Sequence, residues 1–253
     1  MNIRSFNREA WDGQVQSGQN PWTIPVSPEI IANARAGKWS VLLTENISVP
    51  CAWFPTMDGL KILGLACGGG QQGPVFAAAG ADVTIFDNSP AQLARDRKVA
   101  ERENLDIKTV EGDMRDLSMF ADETFDLVFH PVSNLFINEI RPVWQEAFRV
   151  LKQGGKMMAG FMQPHFYIFE VEELEKCNLI VKHKIPYSDV ENYSFDQMRR
   201  ENRPAEFGHS LTDQIGDQLD AGFHLIGFYE DRHTGVKISE FIATYIATLA
   251  IKP

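Results

Sequence analysis

The order of apolar and polar positions between residues 61 and 161 predicts strands and helices in alternation. Lys61–Leu65 (KILGL) is a short apolar run that ends at a glycine cluster, the pattern of a strand buried on both faces. Pro74–Ala79 follows as a helix, with proline near its start and Gly80 beyond its end. Val83–Phe86 is the next strand, β-branched and closed by Asp87. Ser89 and Gln92 form a capping box around Pro90, so a helix runs from there to about Glu103. Lys108–Val110 and Phe125–Phe129 read as strands. Trp144, Ala147, Phe148 and Leu151 recur at helical spacing, an apolar stripe that Gly154-Gly155 ends, and Lys156–Phe161 is a fifth strand. Strands alternating with helices in this way predict a parallel, doubly wound α/β sheet, because each crossover is right-handed and covered by helix.

The flanks have a different texture. Residues 1–58 carry Trp11, Trp22, Trp39 and Trp53 with Pro21, Pro25, Pro28, Pro50 and Pro55, which predicts short helices joined by turns. Ser27 and Pro28 read as N-cap and first residue of one helix, with Ile30, Ile31 and Ala34 as its buried face and Gly37 as its stop. This segment is expected to cover the body formed by residues 59–253 as part of the same domain. Beyond Gln163 the pattern weakens: a strand near Leu179–Lys184, a helix over Ser210–Ala221 stopped by Gly222, then strands His224–Tyr229 and Phe241–Ile251. Those last two form a hairpin that places a reversed strand at one edge of the sheet.

Composition narrows the class of function. With 44% hydrophobic and 23% charged residues the chain is globular, neither disordered nor a coiled coil. Phe241–Ile251, its longest nearly apolar stretch, falls well short of the ~20 residues a bilayer span needs. The opening MNIRSFNREAWDG is polar where a signal peptide would be apolar. Cys51, Cys67 and Cys177 have no CxxC spacing and cannot all pair, so a cytoplasmic location is expected. A net charge of −10, with no Lys/Arg run longer than two, argues against nucleic acid and for a small-molecule partner.

The chemistry centres on LGLACGGGQQG, residues 63–73. Glycines between a strand and a helix let backbone pass close to a ligand, and the helix N-terminus offers unpaired N–H groups. Asp87 ends the second strand about 20 residues on, where a carboxylate accepts both hydroxyls of a ribose. Gly68, Gly70 and Gly73 satisfy GxGxxG, which alone also admits an NAD-dependent oxidoreductase. A second acid, Asp113 in EGDM, follows the third strand, and RVLKQGG precedes the fifth.

In this order, ILGLACGGG (62–70), TIFDNSPAQL (84–93), VEGDMRDL (110–117), FDLVFHPVSN (125–134) and RVLKQGG (149–155) resemble the class I S-adenosylmethionine-dependent methyltransferases, particularly bacterial small-molecule enzymes. The resemblance is dense over residues 60–162 and looser in the terminal strands. It implies a Rossmann-like, mostly parallel seven-stranded sheet with one antiparallel strand, and S-adenosyl-L-methionine as cofactor. It implies Ala66, Gly68 and Gly70 at the methionine part, Asp87 at the ribose with Asn88 beside the adenine, and Asp113 at the adenine amine with Met114 packed on the ring. His130 to Asn134 would line the methyl-transfer site. The chain departs from the family at Gly64, where an acid usually stands.

Other residues remain open at this level. His130 is a cofactor-site wall residue, a substrate hydrogen-bond partner or a general base, and so the tentative catalytic candidate. Cys67 reads as inert packing, His209 as a loop residue, and Phe166, Tyr167 and Phe169 as packing or a pocket wall. The six histidines show no HxxxH or HxH spacing, which gives no metal site. Methyl transfer to a small molecule is the reading these features favour, with an NAD-dependent oxidoreductase and a non-catalytic S-adenosylmethionine binder as alternatives. The N-terminal segment is expected to be a cover over the cofactor, mobile or permanently docked.

Overall fold

A computed structural model of the protein describes residues 2–170, 173–174 and 176–253. The N-terminal segment forms α1 (Ile3–Ser17) and α2 (Pro28–Arg35). The central alternation is β1 (Lys61–Leu65), α3 (Gln72–Ala78), β2 (Asp82–Asp87), α4 (Pro90–Glu103), β3 (Ile107–Glu111), β4 (Phe125–His130), α5 (Arg141–Val150) and β5 (Leu151–Met162). A two-stranded ribbon, β6 (Tyr187–Ser188) with β7 (Phe207–Gly208), precedes the closing strands β8 (His224–Asp231) and β9 (Tyr245–Ile251).

Among the described residues, seven strands make one sheet in the order β3-β2-β1-β4-β5-β9-β8. β9 is antiparallel to both neighbours, and the other adjacent pairs are parallel. The reversed strand therefore sits one place in from the edge, because β8 takes the edge and the chain returns through the slot beside β5. β1 lies at the centre, and Ile62, Leu63 and Leu65 are sealed on both faces. One core lies under α2 and α3, with Val41, Leu43 and Val49 from the N-terminal segment inside it. The other lies under α5, around Trp144 and Phe223.

Local signals explain most boundaries. The Ser89 hydroxyl accepts the Gln92 amide at 3.1 Å, and Asn104 ends α4 in the left-handed region. Four expectations need correction. Gly154-Gly155 does not end α5: the helix stops at Val150, and the pair forms a bulge in β5, where pairing shifts between Phe125 and Leu127. Leu151 continues the apolar stripe because it is buried, but from a strand. Ile30 is exposed, since α2 turns only Ile31 and Ala34 inward. Leu179–Lys184 makes a single bridge, Phe169 to Val181, rather than a strand, and the last strand begins at Tyr245, leaving Phe241 exposed. No helix among the described residues is long and apolar enough to cross a membrane.

Candidate active site

Parallel strands ending at a common edge leave a crevice where neighbouring connections diverge to opposite faces. A cavity of about 390 Å³ opens there, a size suited to a cofactor-sized ligand. Ala66, Gly68, Asp87, Asn88, Asp113 and Met114 all line it. Gly70 and His130 are not among its lining residues.

The loop after β1 is shaped by close approaches. Gly69 has φ +121°, and a Cβ there would meet the Trp22 carbonyl oxygen at 2.6 Å. Ala66 takes a left-handed φ of 48°, and its amide donates to the Phe86 carbonyl at 2.7 Å. At Gly64 a Cβ would stand 2.6 Å from Ile85 Cδ1, so that side chain would have to turn aside to admit the family's acid. The loop is instead tied from α4: the Gly69 amide donates to Oδ2 of the fully buried Asp96 at 3.0 Å. Gly70 shapes the loop from behind, its carbonyl accepting the Val26 amide at 2.9 Å.

Asp87 is fixed by two backbone donors, Gly68 to Oδ2 at 2.9 Å and Ser89 to Oδ1 at 2.8 Å. Burial pushes its pKa up to about 6 against the pull of those N–H groups, so at neutral pH it is largely ionised. Asn88 is clamped to α1 by a reciprocal pair: Arg4 Nε donates to its Oδ1 at 3.0 Å, and its amide donates to the Arg4 carbonyl at 2.9 Å. Arg4, Asn7 and Trp11 lie on one helical face and line the cavity, as does Trp22. Asp12, on the same helix, accepts the Ser89 hydroxyl at 2.6 Å and the Ala91 amide at 3.1 Å, an acid at the start of α4.

Asp113 is occupied already. Burial pushes its carboxyl up, but Arg115 outweighs this and holds it below the usual range, with Arg115 Nη2 2.7 Å from Oδ2 and Nε 3.0 Å from Oδ1. His130 lies behind the wall, fully buried, with both ring nitrogens on oxygens: Nδ1 is 2.8 Å from the Leu65 carbonyl and Nε2 2.7 Å from Asn134 Oδ1. Burial lowers its pKa against the pull of those two oxygens. His209 is likewise a brace, bonded to the carbonyls of Asn134 and Ile137. Burial raises the Cys67 thiol, with Asp96 and Asp87 adding to the effect, so no thiolate forms on this wall.

The rest of the cavity lies over β4, β5 and β9. Leu42, Leu43, Leu135, Phe136, Met162 and Phe166 give it apolar walls, and Glu45, Glu206, His233 and Tyr245 supply polar groups. Burial pushes Glu206 up to about 7, and Tyr167 donates to its Oε2 at 3.0 Å. Sequence reasoning leaves Phe166 and Tyr167 as packing or a pocket wall; it misses the other residues here, which follow no motif, and it misses Asp96 too. A signal for Asp96 existed: a charge on the inward face of α4 with Leu93 and Val99.

Three features test the fit to an adenosyl cofactor. Asp87 presents a carboxylate whose oxygens each retain a lone pair after one N–H bond. Gln92 Oε1, on the cavity wall, is buried with no protein partner, an acceptor open to a ligand donor. Met114 supplies an apolar surface beside Asp113. The residues present fit the group.

Comparison with known proteins agrees. The family described as Methyltransferase domain matches residues 63–159. Over 251 residues, 98% of each chain, the sequence is 49% identical to the uncharacterized methyltransferase YbaJ of Bacillus subtilis (strain 168). A demethylmenaquinone methyltransferase of Renibacterium salmoninarum is 30% identical over 142 residues, 56% of this chain and 55% of that one. The crystal structure of an S-adenosylmethionine dependent methyltransferase from Mesorhizobium loti shares the fold, with a TM-score of 0.61 at 16% identity over 79% of this chain and 94% of that one. The chain belongs to the class I S-adenosylmethionine-dependent methyltransferases.

Proposed function

We propose that the cavity holds S-adenosyl-L-methionine against the glycine loop and Asp87, and that a small molecule enters beside it as methyl acceptor. The observation that carries this reading is the Asp87 carboxylate, fixed by two backbone N–H groups on the wall of a cavity that continues past it to apolar surface. When bound, the cofactor supplies a methyl on a positively charged sulfur, which an acceptor lone pair takes in line as the carbon–sulfur pair returns to sulfur. In this reading Asp87 holds the ribose, Asn88, Asp113 and Met114 the adenine, and Ala66 and Gly68 the methionine part. Gly70 and Asp96 keep the loop in shape. His130 acts as a positioning residue, tying the end of β4 to the end of β1 through Leu65. Alignment of acceptor and methyl carries most of the acceleration, so this half of the site needs no reacting side chain.

The N-terminal segment closes one side of the site. Asn7 is buried and bonded to the carbonyls of Phe136 at 2.7 Å and Ala205 at 3.0 Å, and it accepts the Ala205 amide at 2.8 Å. Those bonds favour a docked cover over a mobile one. Acidic balance and three unpaired cysteines fit a reducing cytosol. Thermal shift tests the reading. S-adenosylmethionine and its demethylated product at a hundred times their dissociation constants should each stabilise by about 2.7 kcal/mol. Stabilisation by NAD alone would contradict it.

A further inference from the structure

Across the cavity from Asp87, three polar side chains from separate segments meet. Sheet order sets β2 and β9 four spacings apart, about 19 Å at ~4.8 Å each. Tyr245, the first residue of β9, places its hydroxyl 2.7 Å from His233 Nδ1 and 3.2 Å from Glu45 Oε2. His233 Nε2 lies 3.6 Å from that same carboxylate oxygen. The cluster is braced from outside. Glu45 Oε1 accepts the Thr234 amide at 3.1 Å. Asp231 Oδ2 accepts the Thr44 hydroxyl and the Asn46 amide, both at 2.7 Å, which fixes the loop carrying Glu45. The His233 ring stacks on Phe166 and on Tyr245, with centroids 5.7 and 5.1 Å away.

A carboxylate beside Nε2 favours N–H there. The Tyr245 hydroxyl then has two acceptors, Glu45 Oε2 at 3.2 Å and the Nδ1 lone pair at 2.7 Å, and Nδ1 is the closer. Burial lowers the imidazole pKa against the opposing pull of Glu45 and Asp231, so the ring is neutral at neutral pH. Burial raises the Tyr245 phenol, and Glu45, Glu206 and Asp231 raise it further, so it keeps its proton. The structure thus holds a neutral base joined to the cavity through a hydroxyl. The cofactor roles proposed above make no use of it.

We propose that this end of the cavity binds an apolar, phenol-type acceptor, and that Tyr245, His233 and Glu45 form the relay that removes its hydroxyl proton. The proposal rests on the methyl-transfer reading. The acceptor's proton passes to Tyr245 Oη while the Tyr245 proton passes to Nδ1 of His233. The imidazolium formed stands beside the Glu45 carboxylate, and the acceptor oxygen keeps the electron pair that bonds to the methyl carbon. The imidazolium returns its proton to water before the next turnover. The apolar walls do not suit a charged alkylammonium. An aromatic amine has a free lone pair and a thiol ionises unaided near neutral pH, so neither needs such a relay. A hydroxyl does. A phenol ring also suits the apolar walls from Leu135, Phe136 and Met162.

The test begins without turnover. Para-nitrophenol, whose phenolate is coloured, is titrated into the protein saturated with S-adenosyl-L-homocysteine. Bound nitrophenol should ionise about tenfold more readily in the wild type than in Tyr245→Phe or His233→Gln, one unit of pKa. Both variants should bind S-adenosyl-L-homocysteine as tightly as the wild type. With the methyl donor present, Tyr245→Phe should slow transfer to para-cresol far more than to the more acidic para-nitrophenol. Equal ionisation of the phenol bound to wild type and to both variants, or no phenol binding beside bound S-adenosyl-L-homocysteine, would overturn the relay and leave the methyl-transfer reading standing. Failure of S-adenosyl-L-homocysteine itself to bind would overturn both.

Discussion

Asp96 Oδ2 accepts the amide proton of Gly69 at 3.0 Å, so the glycine loop is tied to α4 and not to an acid at its own entry. At that entry stands Gly64, with the end of the Ile85 side chain against it. The tie comes with a titration. Burial pushes Asp96 up to about 7, with Asp87 adding to the shift and the Gly69 and Gly70 amides opposing it.

A carboxyl whose folded pKa is raised keeps its proton when the unfolded chain has already lost it. Stability therefore falls as pH rises from the unfolded value near 3.8 to about 7. Within that window each pH unit carries about 1.4 kcal/mol for a group protonated only in the folded state. Asp96→Asn keeps an acceptor for Gly69 and has no charge. Its unfolding free energy relative to wild type, from urea melts, should improve steadily between pH 5 and pH 7. A constant difference would mean that Asp96 is ionised throughout.

His130 should matter to stability and not to cofactor affinity. His130→Gln leaves the Leu65 carbonyl or the Asn134 amide short of a buried partner, which costs about 1–3 kcal/mol. Urea melts read that loss, and S-adenosylmethionine affinity should stay within about threefold of wild type. A general base would show the reverse: intact stability and lost turnover.

The alternation from Lys61 to Phe161 was legible because each element there carries its own local evidence. Capping at Ser89, the β-branched run at Val83 and the glycine loop each follow from neighbours in sequence. The place of Asp87 on the cavity wall was legible for the same reason, since it closes a strand, while Asn88 and Met114 came from the family resemblance. What failed depended on tertiary context. The Gly154-Gly155 bulge looks like a helix stop until the pairing of β5 with β4 is known. Tyr245, His233 and Glu45 carry no local pattern; the reversed β9 and the Asp231-bound loop bring them together. The Arg115 grip on Asp113 is two residues long and invisible as a motif.

That grip sets the size of the next effect. Because Arg115 already occupies the Asp113 carboxylate, an adenine amine gains only a share of it. Asp113→Ala should weaken S-adenosylmethionine binding by less than about tenfold, since water replaces much of the contact. Calorimetry on the purified variant measures this directly.

One of the ties that hold α1 in place is the buried Asn7 amide. Asn7→Ala removes three hydrogen bonds and leaves the Ala205 amide and the Phe136 carbonyl short of their partner. Limited proteolysis should cut the wild type slowly within residues 3–17, with or without S-adenosylmethionine, and cut the variant rapidly. Fast wild-type cleavage that the cofactor suppresses would instead show a mobile lid.

The central claim is that Asp87, held by Gly68 and Ser89, anchors S-adenosylmethionine in this cavity. Calorimetric titration of wild type and Asp87→Ala with S-adenosylmethionine tests it most directly. The wild type should bind one equivalent, and the variant, folded by circular dichroism, should lose on the order of 2–3 kcal/mol, a weakening of more than about tenfold. Equal affinity in the two proteins, or no binding to the wild type, would contradict the account.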